Sequence, residues 1–337
     1  MPDRWLRAAG VVAGLVVLGF AGQAVAVNSY YATVVFSMCF WATAAVAYNL
    51  SAGYAGELSL GHGAFLGLGA YSSSLLFTRE GISPWLGMIL GAALAAVVAL
   101  VIGVIAIRLR GPYFAIVTLA VVLVFNYFAA GLPELTQGAI GVNISGEPSF
   151  ANIIFERRWP YVALMFGLLL VTTAGIAWLV RSRLGYQLAA YRENEDAARA
   201  LGIATTRVRV IALVLSAAVT ALAGSLQTQY LQFVSPDSAF SVHFSVQVAL
   251  MAIIGGLGTV YGPIFGAILI VYLGQLLQPL VRQLAGLDQV VYGIILILVL
   301  LFLRKGIAGL GRQLRVRQWI DRAWELGPAR ARSEAGS

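Results

Sequence analysis

At 337 residues the chain has the length of two ordinary domains, yet 60% of it is hydrophobic and 11% charged, against roughly 25% charged in soluble proteins. A mean hydropathy of +0.86, with no acidic or basic residue between Arg7 and Glu57 or between Arg209 and Asp237, excludes an ordinary soluble fold and predicts a polytopic membrane protein. The excess of 22 basic over 14 acidic residues belongs to membrane orientation, so nucleic acid is set aside as a partner, and the single cysteine, Cys39, excludes an intrachain disulfide or a cysteine-based metal site.

A hydrocarbon core about 30 Å thick needs about 20 helical residues. Windows of that length, bounded by charge, proline or glycine, fall near 8–27, 32–50, 60–77, 84–107, 112–130, 160–180, 210–229, 243–257, 263–281 and 288–303. The predicted fold class is all-α, a transmembrane helical bundle of about ten spans. Arg4 and Arg7, the first apolar run and Ala24-Val25-Ala26 also resemble a secretory signal peptide, but the run is long for one and is read as a span. A cytoplasmic N-terminus puts 18 of the 22 basic residues inside and leaves Arg79, Arg157, Arg158 and Arg282 outside. Both termini are then cytoplasmic.

Glycines crowd the third window at Gly53, Gly56, Gly61, Gly63, Gly67 and Gly69, and follow the eighth at Gly255, Gly256, Gly258, Gly262 and Gly266. Both regions are expected to interrupt their helices. Non-helical backbone survives at membrane depth only when buried in protein or lining a cavity, so tight packing and pathway lining both stand as readings. The pathway candidates are Gly56, Glu57, Ser59, Gly61, His62, Gly63, Gly255, Gly256 and Gly258. Glu57 and His62, five apart with no second carboxylate or histidine nearby, lack the spacing of a metal or proton-relay site. Five spans before the long outer loop 131–159 and five after it suggest a 5+5 inverted repeat. Strict inversion would put the two glycine clusters on opposite sides, whereas the predicted topology puts both near the cytoplasm.

The loop 181–209 contains Glu193-Asn194-Glu195-Asp196-Ala197-Ala198-Arg199-Ala200-Leu201-Gly202. Asn194 is a good N-cap, Glu195 and Asp196 suit the positive end of a helix dipole, and Gly202 fits the left-handed position that ends a helix. So short a helix needs docking to persist, on its own spans or on a partner. Lys305, the only lysine, lies in no G-x-x-x-x-G-K-[ST] sequence, so ATP hydrolysis by a P-loop of this chain is excluded. No clustered His, Asp and Glu set or nucleophile motif supports a membrane enzyme, so no catalytic residue, metal ligand or cofactor-binding residue is named.

Asp196-Ala197-Ala198-x-x-x-Gly202 resembles the E-A-A-x-x-x-G coupling motif of ABC importer permeases, with Asp in place of Glu and Leu215 near the place of a later proline. Three further stretches, Gly53-Tyr54-Ala55-Gly56-Glu57-Leu58-Ser59-Leu60-Gly61-His62-Gly63-Ala64-Phe65, Gly111-Pro112-Tyr113-Phe114-Ala115 and Ile254-Gly255-Gly256-Leu257-Gly258-Thr259-Val260-Tyr261-Gly262-Pro263, extend the likeness over residues from about 30 to 305. There the sequence resembles the permeases of branched-chain amino acid ABC importers, with Glu57 where relatives carry Gln. The resemblance implies a second related permease, two ATP-binding subunits and an extracytoplasmic solute-binding protein, in a bacterial inner membrane. ATP would be bound by the partners, with no cofactor in this chain. It also implies coupling to the ATPase through Glu195, Asp196, Ala197, Ala198, Leu201 and Gly202, and binding-protein docking on loop 131–159. Related permeases carry urea or short amides, which remains the substrate alternative; a self-sufficient secondary carrier or channel remains the functional one. Residues 1–306 are expected to form the permease domain. Residues 307–337 are expected to form a basic amphipathic tail on the inner leaflet, with Val316, Ile320 and Trp324 on its apolar face.

Overall fold

A computed structural model describes residues 29–106, 109 and 111–281. The first and tenth windows and the tail 307–337 lie outside the described residues. The remaining eight windows each coincide with a helix: α1 (Ser29–Asn49), α2 (His62–Glu80), α3 (Pro84–Ile105), α4 (Pro112–Gly131), α5 (Trp159–Val180), α8 (Thr205–Leu231), α9 (Val242–Gly255) and α10 (Gly262–Val281). Between α5 and α8 lie two shorter helices, α6 (Arg183–Glu193) and α7 (Glu195–Ala200). Six described segments are long and apolar enough to cross a membrane: Tyr30–Tyr54, Pro84–Ile105, Pro112–Gly131, Trp159–Val180, Thr205–Leu231 and Pro236–Gly255. Helix α2 is less apolar, since it carries His62, three consecutive serines, Arg79 and Glu80; packed protein, not lipid, surrounds its first half, where residues His62 to Tyr71 are buried.

The helix ends follow from local chemistry. Prolines open α3 and α4, where the missing N–H costs nothing, and Gly81 closes α2 at φ 64°. Helix α1 ends in a wider π turn, Leu50–Tyr54.

Two apolar cores meet at α8. One joins α1, α5, α9 and α10 around Phe40, Tyr48, Met165, Leu169 and Met251; the other joins α2, α3, α4 and α8 around Phe65, Phe114, Val122, Leu213 and Phe240. The second has a seam of small residues. A Cβ on Gly69 would overlap the backbone of Ala221, one on Gly91 would lie 3.0 Å from the Gly69 Cα, and the Ser225 hydroxyl donates to the Gly69 carbonyl at 2.8 Å. Backbones there touch directly.

Two elements begin inside the bundle. His62, the first residue of α2, meets Ser216, eleven residues or about 16 Å along α8. The connector from Ala55 to Gly61 therefore climbs to that depth without helix, with the Leu60 amide donating to the Thr118 hydroxyl at 2.9 Å. From the far end of α8 the chain returns through a two-residue strand, β2 (Phe233–Val234), paired antiparallel with β1 (Val142–Asn143). A one-turn helix, Pro236–Ala239, follows, capped reciprocally by Ser235 and Ser238. Helix α9 then starts beside α2, where Ser245 accepts from the Gly63 amide at 2.8 Å. This broken descent explains why the eighth window is short.

The segment 132–158 forms a cap over one end of the bundle. Ser83 and Trp85 donate to the carbonyls of Ala151 and Phe150 at 2.5 and 2.9 Å, and Arg79 donates to the Glu134 carbonyl. Arg158 donates to Thr33 and Tyr230 at 2.8 and 3.0 Å.

Candidate coupling and translocation site

Helix α7 has both expected caps. The Asn194 backbone is extended (φ −159°, ψ 112°) and its side chain accepts from the Ala197 amide at 3.0 Å. At the other end Gly202 has φ +80°; its amide donates to the Arg199 carbonyl at 2.9 Å and that of Ile203 to the Ala198 carbonyl at 3.0 Å. These are the paired bonds of a left-handed C-terminal cap. Glu195 and Arg199 pair at 2.5 Å one turn apart, an exposed contact of little energetic weight. Ala197, Ala198 and Leu201 do not form one face: Ala198 is buried against the rest of the chain, whereas Ala197 is exposed and Leu201 is 79% exposed.

Helix α6, absent from the sequence expectation, ties α7 to the membrane helices. Its Tyr191 hydroxyl donates to Glu57 Oε1 at 2.5 Å, and Arg192 Nη1 donates to the Gly53 carbonyl at 2.5 Å. Burial, then the bond to the Glu57 carboxylate, pushes the Tyr191 phenol above its ordinary value, so it stays a neutral donor. Glu57 also pairs with Arg209 Nε at 2.9 Å, the two side chains being 11% and 7% exposed. Arg209 in turn donates to the Leu109 carbonyl at 2.9 Å and lies 5.0 Å from the Phe114 ring centre. One buried carboxylate thus joins the α1–α2 connector, α6 and α8, and through Arg209 the α3–α4 connection.

The second glycine segment meets the first at this arginine-rich end. The Asn49 amide donates to the Thr259 carbonyl and accepts from the Gly258 amide, each at 2.8 Å. Gly258 has φ +76°, a conformation that strains any side chain, and the Arg192 guanidinium lies beside it. Gly56, Glu57 and Gly258 gather around α6, while Gly255 and Gly256 end α9 against the start of α10.

Ser59, Gly61, His62 and Gly63 lie deeper. Ser59 and His62 are fully buried. The Ser216 hydroxyl donates to the Ala47 carbonyl at 2.6 Å and lies 2.8 Å from His62 Nε2. Tyr48 and Phe65 pack on the imidazole at ring distances of 4.9 and 5.7 Å. A Cβ on Gly63 would overlap the Ser241 carbonyl. His62 thus packs on α8 and Gly63 on α9, while a Cβ on Gly61 would lie 3.1 Å from Thr118 of α4.

Comparison with known proteins identifies the family. Residues 30–300 match the family described as branched-chain amino acid transport system, permease component. The chain is 30% identical to the high-affinity branched-chain amino acid transport system permease protein LivM of Salmonella typhimurium over 293 residues, 80% of this chain and 68% of the relative. It shows the same identity and coverage with LivM of Escherichia coli, and 27% identity with LivH of Escherichia coli over 291 residues, 91% of that protein. No solved structure gives a significant match. Matched over residues 30–300, this helical membrane bundle belongs to the permease family of branched-chain amino acid transport systems.

Proposed function

We propose that the chain is the membrane permease subunit of an ABC importer that passes branched-chain amino acids, delivered by an extracytoplasmic solute-binding protein, across a bacterial inner membrane. The observation that carries this is the α6–α7 unit, whose Tyr191 and Arg192 bond the first glycine-broken segment, itself tied to the second through Asn49. A push on α7 from an ATP-binding subunit would reach Glu57 and Gly53 through the hydrogen bonds of Tyr191 and Arg192, each 2.5 Å. Exposed Ala197 and Leu201 would meet that subunit, while Ala198 holds α7 on its own protein. In this reading the arginine-rich end is cytoplasmic, ten spans form two halves of five with both termini inside, and a related permease completes the pore with two ATP-binding subunits. The residues from Gly56 to Gly63 and from Gly255 to Gly258 act as hinges beside the pathway, and loop 131–159 receives the binding protein.

The test is uptake by the reconstituted complex, offered leucine, isoleucine, valine, other amino acids and urea. ATP-dependent, binding-protein-dependent uptake of the branched amino acids is expected. Uptake by this chain alone would support a self-sufficient carrier or channel, and preference for urea or short amides would move the substrate class.

A further inference from the structure

The two glycine-broken segments meet through one side chain. Helix α9 stops at Gly255, and the turn that follows folds on Thr259, whose hydroxyl donates to the Gly256 carbonyl at 2.7 Å and accepts from the Gly262 amide at 3.1 Å. The Gly258 amide and the Thr259 carbonyl are met from α1: the Asn49 carboxamide accepts from the first and donates to the second, each at 2.8 Å. Asn49 is the last residue of α1 before its π turn, and it is 1% exposed. A carboxamide carries an acceptor and donors in one plane, as a peptide unit does, so both bonds form at once. The backbones also touch, since a Cβ on Gly53, inside the π turn, would lie 2.5 Å from the Gly258 nitrogen.

Parting the segments here would strip a buried carboxamide of a donor and an acceptor together, and a polar group left unsatisfied in the interior costs more than its bond contributes. Swinging them together breaks neither bond. Arg192 of α6 donates to the Gly53 carbonyl, and its guanidinium lies beside Gly258. A displacement of α6 therefore arrives at this junction, and Asn49 carries it from the end of α1 to the turn that joins α9 to α10.

We propose that Asn49 is a positioning residue that latches the α1–α2 connector to the α9–α10 turn, so that the two glycine-broken segments swing as one body during transport and do not open from each other. This rests on the importer reading and deepens it, by joining its two hinges into one.

The experiment uses the full complex in proteoliposomes, with spin labels at Leu58→Cys on the connector and Val260→Cys on the turn. The distance between the labels is measured by electron resonance in the nucleotide-free and ATP-trapped states, beside leucine uptake and ATP hydrolysis. In the otherwise unaltered chain one narrow distance, equal in both states, is expected. Asn49→Leu, which removes both bonds at similar volume, should broaden that distance on ATP trapping and lower the ratio of leucine imported to ATP hydrolysed by about 10- to 30-fold, the worth of two neutral hydrogen bonds. Asn49→Asp keeps the acceptor for Gly258 and loses the donor to Thr259, so it should fall between the two and reports in place of Asn49→Leu if that variant does not assemble. A label distance that changes between states in an active, unaltered complex would overturn the latch while leaving the importer reading intact. So would an unchanged distance and ratio in the Asn49 variants, even with a lowered melting temperature, because that is the result of a purely structural role. An unaltered complex without ATP-dependent leucine uptake would remove the importer reading and the proposal together.

Discussion

Removing the two members of the Glu57–Arg209 pair should have unequal effects. In Glu57→Gln, Arg209 keeps the Leu109 and Ala106 carbonyls, at 2.9 and 3.4 Å, and the face of Phe114. One charge-assisted bond becomes a neutral one, at a cost of about 1.5–3 kcal/mol. In Arg209→Met the 11% exposed Glu57 carboxylate loses its guanidinium and retains the Tyr191 hydroxyl. One-sided removal of a buried pair costs about 3–5 kcal/mol. The double variant buries neither charge, so it should be more stable than the sum of the single losses by about 1–3 kcal/mol. Unfolding of the purified chain in detergent, followed by tryptophan fluorescence, measures each term, and the ratio of leucine imported to ATP hydrolysed reports the coupling. Equal costs for the single variants with strict additivity in the double would refute the view that this ion pair fastens the connector to α8.

Other outcomes follow from the same geometry. Gly202→Val meets no atom within 4 Å but is strained at φ +80°, so it should lose about 1–2 kcal/mol locally and uncouple ATP hydrolysis from uptake, read from the same ratio. Because Ala198 is buried and Leu201 exposed, Ala198→Trp should lower the melting temperature of the chain itself, whereas Leu201→Asp should leave melting unchanged and reduce co-purification with the ATP-binding subunits. Arg158 is held by Thr33 and Tyr230, so its reversal should destabilise the cap; Glu147→Lys should weaken binding-protein stimulation of ATP hydrolysis with normal melting. The raised phenol of Tyr191 contributes stability that is complete below its ordinary value of 10.0 and is lost as pH rises beyond it. Melting in alkaline buffers should therefore be less steeply pH-dependent in Tyr191→Phe.

The helices of the membrane were legible because length, hydropathy and bounding proline or glycine each act locally. So were the caps of α7, since Asn194 and Gly202 act within a few residues of themselves. Helix α6 was not, because its run from Arg183 to Glu193 is short and polar, and its reason for folding is contact with Gly53 and Glu57. The role of Glu57 was equally hidden: Tyr191 lies 134 residues away in sequence. An arginine at the start of a span, as Arg209 is, signals an interfacial cation and does not say which carboxylate it meets. The interrupted helices at both glycine clusters could be foreseen from backbone freedom. The depth at which α2 and α9 begin could not, because it depends on Ser216 and Ser245.

The seam where Gly69, Gly91, Ala221 and Ser225 bring α2, α3 and α8 together has a thermodynamic consequence. Its contacts are made by backbone, methyl groups and hydroxyls, which have almost no rotamers to freeze. Docking these three helices therefore forfeits little side-chain entropy, unlike a leucine-rich interface of similar extent. Attraction across it is dispersion and hydrogen bonding, which weaken slowly on heating. Hydrogen exchange over a temperature series should find this trio opening last, with the smallest entropy of opening in the bundle.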